Sequence, residues 1–279
     1  MSDAGAISPT EFVRSADGTR IAWRRLGSGP AVVALHGGLG SSRSWEPVAR
    51  LLAGRCELFL VDRRGRGESD DGAEPYALAR EVEDARAVLA VAGRGAALLG
   101  HSFGGAVALE LARVAEPGEV GALIVYEPAA GVGAKVSAQQ LDRLRRLVAD
   151  DRPEQVAPLA MRLLDDAGLV TADGPLSTLR VKPTAAFRRL AATVPREIAA
   201  IAALGDDLDR YATIDVPTLL LVGATSPGGA QAVSARLAAT LRRVEVVRLA
   251  GLGHVAHTAA PDRVAEPIAA FLAGLHASG

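Results

Sequence analysis

Cysteine, aromatic side chains and long apolar runs are all scarce in this chain of 279 residues. A single cysteine rules out an internal disulfide. Cys56 opens the apolar run Cys56-Glu57-Leu58-Phe59-Leu60-Val61, where a small core residue is expected rather than a reactive thiol. No stretch reaches the roughly 18 consecutive apolar residues of a membrane span. The opening MSDAGAISPTEF carries no basic segment followed by an apolar one, so a soluble cytoplasmic protein is expected. A surplus of charge of either sign is missing too. With a formal net charge of -1 there is no electrostatic reason to expect a nucleic acid or an anionic membrane as partner. A small-molecule substrate is the expected partner, and a homodimer stays open. Aromatics at 4% argue against recognition of sugars or bases by stacking. There is no metal-ligand cluster, dinucleotide fingerprint or phosphate loop, so no cofactor and no metal are expected.

What is present is a globular composition, 49% hydrophobic and 23% charged, in a chain long enough for one elaborated domain or two small ones. Short apolar runs alternate with longer amphipathic ones. Segments 12–14 and 20–26 flank Ala16-Asp17-Gly18-Thr19, a hairpin signal, because Asp-Gly tolerates the positive φ of a tight turn. The runs 31–35, 58–61, 96–99, 122–126, 219–222 and 244–249 read as strands buried on both faces. Between them lie helical patterns. Over 76–91, Leu78, Val82, Ala85, Val88 and Leu89 share one face, with Arg80, Glu83 and Asp84 off it; 103–114 and 261–272 behave similarly. Strands alternating with crossover helices predict an α/β fold, a mostly parallel eight-stranded sheet covered by helices on both faces, with an antiparallel pair at its start.

Segment 131–212 breaks this rhythm, offering no convincing strand. Leu141, Leu144, Leu147 and Val148 make one helical stripe; Leu159, Leu163 and Leu164 make another, with Pro158 expected at its start. Phe187, Leu190 and Ala191 mark a third helix, opened by Pro183. The expectation is a core of 1–130 and 213–279 with a helical cap, 131–212, seated over the strand ends where ligands bind.

Immediately after the run 96–99 comes Gly100-His101-Ser102-Phe103-Gly104, which fits G-x-S-x-G. The pattern alone is common. Here a buried strand precedes it and an amphipathic helix follows, as a strand-to-helix elbow requires. A serine there is forced into a tight backbone, and glycines two residues away on each side remove Cβ atoms that would clash. The helix also directs its positive end at charge developing beside Ser102.

Four motifs fall in order, each after the matching strand: His36-Gly37-Gly38, Asp62-Arg63-Arg64-Gly65-Arg66-Gly67-Glu68-Ser69, Gly100-His101-Ser102-Phe103-Gly104 and Gly251-Leu252-Gly253-His254. Together they resemble the α/β-hydrolase superfamily over essentially the whole chain. The resemblance implies an oxyanion hole made by the backbone N–H groups of Phe103 and Gly38, since two prearranged donors stabilise the alkoxide formed on carbonyl attack. His36 is expected to organise its own loop, and the turn 62–69 to be held by arginine and carboxylate without taking part in chemistry.

Serine is a poor nucleophile without a base. His254 matches the family's G-x-G-H in a glycine-rich loop after 244–249; His257 is close by but out of that register. His101 is expected to shape the elbow, and His276 lies in a tail. The acid is less direct. Most family members carry an aspartate after the seventh strand, yet the loop here reads Gly223-Ala224-Thr225-Ser226-Pro227-Gly228-Gly229. Glu127, directly after the run 122–126, offers a carboxylate one strand over, with a methylene more reach than aspartate. The haloalkane dehalogenase branch resembles this placement, but Ser102 replaces that branch's aspartate nucleophile, so dehalogenation is not implied. Asp206, Asp207 and Asp209 stay open as the alternative acid.

The expected activity is that of a serine hydrolase. A Ser102–His254–Glu127 triad would cleave a small, rather apolar ester, thioester or lactone through an acyl-enzyme. Two other readings fit the same scaffold: a non-hydrolytic enzyme (carbon-carbon lyase, cofactor-free haloperoxidase or biosynthetic cyclase) and a ligand receptor.

Overall fold

The computed structural model describes residues 6–72, 75–131, 136–166, 168 and 184–277. Eight strands form one sheet: β1 (Glu11–Arg14), β2 (Arg20–Gly27), β3 (Ala31–Leu35), β4 (Glu57–Val61), β5 (Ala96–His101), β6 (Val120–Tyr126), β7 (Thr218–Gly223) and β8 (Val244–Leu249). Their order is β1-β2-β4-β3-β5-β6-β7-β8. β2 pairs antiparallel with β1 and β4, and every other neighbouring pair is parallel. This is the mostly parallel eight-stranded sheet expected from the alternation of runs. The β1–β2 turn closes through Ser15 N–H donating to the Thr19 carbonyl at 2.9 Å, with Gly18 at φ 84°.

Alternation along the strands assigns their side chains to two cores. Val33, Leu35, Leu98, Leu123, Val125 and Leu220 face α2 (Leu78–Ala92) and α3 (Phe103–Arg113). Val32, Ala34, Leu58, Leu99, Ile124 and Leu219 face α1 (Glu46–Leu52) and α9 (Pro261–Ala277) on the opposite side. Each fully buried Leu or Val contributes about 2 kcal/mol through loss of apolar surface to water. Near-continuous apolar runs are therefore what a sheet covered on both faces demands.

Two local expectations need correction, the burial of 244–249 and the place of Pro158. The run 244–249 is a strand but is not buried on both faces: β8 stands at the sheet edge, its residues 245, 246 and 248 are exposed, and Val246 is 40% accessible. Asp84, off the apolar stripe of α2, is nevertheless buried, taking Arg64 Nε and Nη2 at 2.7 Å each. Its charge is tolerated because a bidentate guanidinium neutralises it. Pro158 does not start its helix. That helix, α5 (Pro153–Asp166), opens on Pro153, whose missing N–H is not needed at a first position. The carbonyl that Pro158 leaves without a helical donor belongs to exposed Glu154, where water can serve it.

Between β6 and β7 the described residues hold α4 (Ala138–Ala149), α5 and α6 (Ala185–Ala203), and no strand. Leu144, Leu159 and Leu163 are buried as their spacing predicts, with Leu141, Leu147, Val148 and Leu164 packed against the same core. α6 is capped by Thr184, whose hydroxyl accepts from Phe187 N–H at 3.2 Å. Pro183, expected to open it, lies outside the described residues. α7 (Gly228–Thr240) and the single turn α8 (Ala256–Ala259) complete the helices used below.

Candidate active site

The carboxyl ends of the parallel strands converge on one cavity of about 190 Å³. Ser102 caps α3 at φ 51°, ψ -116°, a backbone that an L-residue adopts only at a cost of order 1 kcal/mol. The flanking glycines make that turn possible. A Cβ on Gly100 would stand 2.4 Å from the Gly104 carbonyl oxygen, and one on Gly104 would stand 2.4 Å from that of Leu35. The register pairs His101 with Tyr126 across β5 and β6, so Ser102 and Glu127 leave the sheet side by side. Ser102 N–H donates to the Tyr126 carbonyl at 3.0 Å, and Ala129 N–H returns to the Ser102 carbonyl at 2.9 Å.

Glu127 also has a left-handed backbone, φ 41°, and is 4% exposed. Its carboxylate reaches across the end of β7. Oε1 accepts from Gly223 N–H at 2.7 Å and Oε2 meets His254 Nδ1 at 2.7 Å. Because a carboxylate can only accept, Nδ1 carries the proton, and the neutral ring presents a lone pair at Nε2. The loop that lacks an aspartate thus still has a carboxylate at its root, delivered from β6. Ser226 is buried, and its Oγ has no hydrogen-bond partner among the described residues. Asp206, Asp207 and Asp209 are exposed, and none of them lines the cavity.

His254 is held by its backbone as well as its ring. His101 Nε2–H donates to the His254 carbonyl at 2.7 Å, and Tyr126 Oη–H donates to the Gly253 carbonyl and accepts from Ala256 N–H at 3.3 Å. His101 therefore does more than shape the elbow: it ties the elbow to the histidine loop. Tyr126 was not foreseen. The one available signal was a tyrosine ending an otherwise aliphatic buried strand, a position where its hydroxyl needs a partner.

Burial sets the charge state of the other imidazoles. His257 packs 4.2 Å from His101, ring to ring, and burial with His254 nearby pulls its pKa down to about 3. Burial also holds His101 well below the ordinary histidine value, reinforced by His257 and His254. His36 is held down by burial and by Arg63 and Arg66; its Nδ1 meets its own loop at the Gly37 carbonyl, 2.8 Å away. All three are neutral at pH 7. Burial raises the Cys56 thiol to about 11, which leaves it inert.

Gly38 and Phe103, assigned by resemblance to oxyanion binding, line the cavity together with Ser102, Glu127 and His254. The opposite wall comes from α5 and α6 and, apart from Glu197 of α6, is apolar, through Met161, Leu164, Val194, Ile198 and Ile201. Among the described residues no group of three His, Cys, Asp or Glu side chains is placed to hold a metal ion. No helix among them is long and apolar enough to cross a membrane.

A serine on a strained elbow and a histidine oriented by a buried carboxylate, at the carboxyl edge of this sheet, define a hydrolase scaffold. A family model described as the alpha/beta hydrolase family matches residues 32–266, and the chain belongs to that family. The crystal structure of an alpha/beta hydrolase from Sphaerobacter thermophilus superposes with a TM-score of 0.80 at 32% identity, covering 94% of this chain and 99% of that one. The pimeloyl-(acyl-carrier protein) methyl ester esterase of Xanthomonas campestris is 29% identical over 90% of this chain and 98% of its own length. Uncharacterised mycobacterial proteins, including one of Mycobacterium tuberculosis, are 36% identical over 105 residues, so the chain spans only 31% of the length of those curated relatives.

Proposed function

We propose that the protein is a serine hydrolase that cleaves a small, rather apolar ester, thioester or lactone through an acyl-enzyme. The observation that carries this reading is the 2.7 Å bond from Glu127 Oε2 to His254 Nδ1, in the same cavity as the elbow serine. Ser102 Oγ attacks the carbonyl carbon while His254 Nε2 takes its proton. Glu127 keeps the imidazole in the required tautomer and stabilises the imidazolium. The tetrahedral oxyanion accepts from Phe103 N–H, at the positive end of α3, and from Gly38 N–H; each such donor is typically worth about 3 kcal/mol. His254 returns the proton to the leaving group. Water, activated by the same histidine, then releases the acid.

The helices α4–α6 act as the cap, and the mostly apolar face that α5 and α6 turn to the cavity supports a short, largely hydrocarbon substrate. The esterase among the relatives is consistent with ester chemistry. A fluorophosphonate probe followed by intact mass measurement tests the reading. One adduct is expected on the native protein and none on Ser102→Ala, together with a fall in ester turnover of about 10⁴-fold or more. Unchanged turnover in Ser102→Ala would sink the mechanism. Labelling at Ser102 without hydrolysis of any acyl or lactone substrate would favour a lyase or cyclase, and a native protein that takes no label would favour a ligand receptor.

A further inference from the structure

Two arginines of the turn 62–69 have no part in the chemistry above. Arg63 and Arg66 are 1% and 2% exposed, and both donate from Nη2 to one oxygen, Oε1, of Glu197 on α6, Arg66 at 2.7 Å. Arg63 also faces Glu81 at 3.8 Å and lays its guanidinium 4.3 Å from the centre of the Phe103 ring. Burial works against the Arg63 charge, but Glu197 and Glu81 outweigh it and raise its pKa above the usual value. With two cations gripping Oε1, the carboxylate of Glu197 is fixed in orientation.

The second oxygen is the one left over. Among the described residues no donor serves Glu197 Oε2, which lies 3.5 Å from the point where a Cβ on Gly38 would stand. Glu197 lines the cavity between apolar Val194 and Ile198, whereas Arg63 and Arg66 stand behind it and do not. A carboxylate oxygen in an apolar wall is costly until it meets a donor. We propose that Glu197 is a specificity-determining residue. Its Oε2 accepts a hydrogen bond from a hydroxyl on the first few carbons of the substrate, and it repels substrates carrying a carboxylate there. With Oε2 3.5 Å from the Cβ position of Gly38, standard bond lengths and one hydrogen bond at each end put that hydroxyl at most about 12 Å from an oxyanion held by Gly38. The first few carbons of an acyl chain lie within that span. The inference rests on the hydrolase reading and narrows its substrate to short hydroxyacyl esters.

The test compares methyl butyrate, methyl 3-hydroxybutyrate and monomethyl succinate. Affinity is measured by calorimetry on Ser102→Ala, which leaves them uncleaved, and kcat/KM on the native enzyme. The hydroxy ester is expected to bind and react at least about tenfold better than the butyrate, as a hydrogen bond to a charged acceptor would give, and the succinate worst. Glu197→Gln should shrink the hydroxyl preference below about threefold and improve the succinate. Should that variant fail to fold, the ranking on Ser102→Ala and on the native enzyme decides alone. Equal affinity for butyrate and hydroxybutyrate overturns the proposal. So does tightest binding of the succinate, which would make Arg63 and Arg66 the reading groups. If the expected ranking holds in binding while the native enzyme cleaves none of the three, the Glu197 assignment stands and the hydrolase reading falls.

Discussion

Glu127 joins three parts of the fold: it directly follows β6, accepts an N–H from the end of β7 and holds the ring of His254. An acid after β7 would have to approach the same imidazole from the loop occupied by Ser226. The extra methylene of glutamate and the left-handed backbone at φ 41° bring the carboxylate there from the neighbouring strand instead. Replacing Glu127 with Gln keeps the shape but removes the charge and the tautomer control, and should lower kcat/KM by about 10³ to 10⁴-fold. The combined variant Asp206→Asn, Asp207→Asn, Asp209→Asn should stay within a few-fold of the native value, since all three are exposed and outside the cavity. Steady-state kinetics on the two variants separates the assignments, and a larger loss in the aspartate variant would reverse them.

At the scale of elements, the elbow between β5 and α3 is tightly constrained by main-chain contacts. A methyl group on Gly104 would press on the carbonyl oxygens of Leu35 and His36, at 2.4 and 2.6 Å, and main-chain atoms cannot rotate aside. Gly104→Ala should therefore cost about 3 kcal/mol or more, read as a lower urea midpoint or a loss of folded protein. Conformation this local is legible in a sequence: glycine spacing and a buried run define the elbow, and a carboxylate ending the run at Tyr126 marked Glu127. The sheet was legible for the same reason, because burial on both faces leaves uninterrupted apolar runs. β8 was overread, since its Val-rich composition fits an edge strand as well as a central one. Pro158 misled because proline is excluded from helix interiors only where the lost hydrogen bond cannot be replaced. Pairings such as Arg63 with Glu197 or Arg64 with Asp84 had no signature at all. They join residues distant in sequence, and periodicity records which face is apolar, not which charge is buried opposite.

For the whole molecule, the site rests on imidazoles that must remain neutral. His257 has a folded pKa of about 3, against an ordinary value of 6.5. Between these values the unfolded chain binds a proton that the native state refuses. The stability that the neutral ring preserves is therefore complete above pH 6.5 and is lost as pH falls toward 3. At pH 5 His257 alone should account for about 2 kcal/mol, and His36 and His101, shifted the same way, should steepen the fall. Urea melts at pH 7 and pH 5 would show it, and a stability unchanged between them would count against neutral burial of these rings. Turnover on this scaffold is expected to run through an acyl group on Ser102. The most direct measurement is intact mass and peptide mapping of the native enzyme, acid-quenched during turnover of an ester or thioester. A population heavier by the acyl group is expected, with the added mass on the peptide containing Ser102. Sustained turnover with no adduct at Ser102 in a prompt quench, and equal turnover by Ser102→Ala, would contradict it.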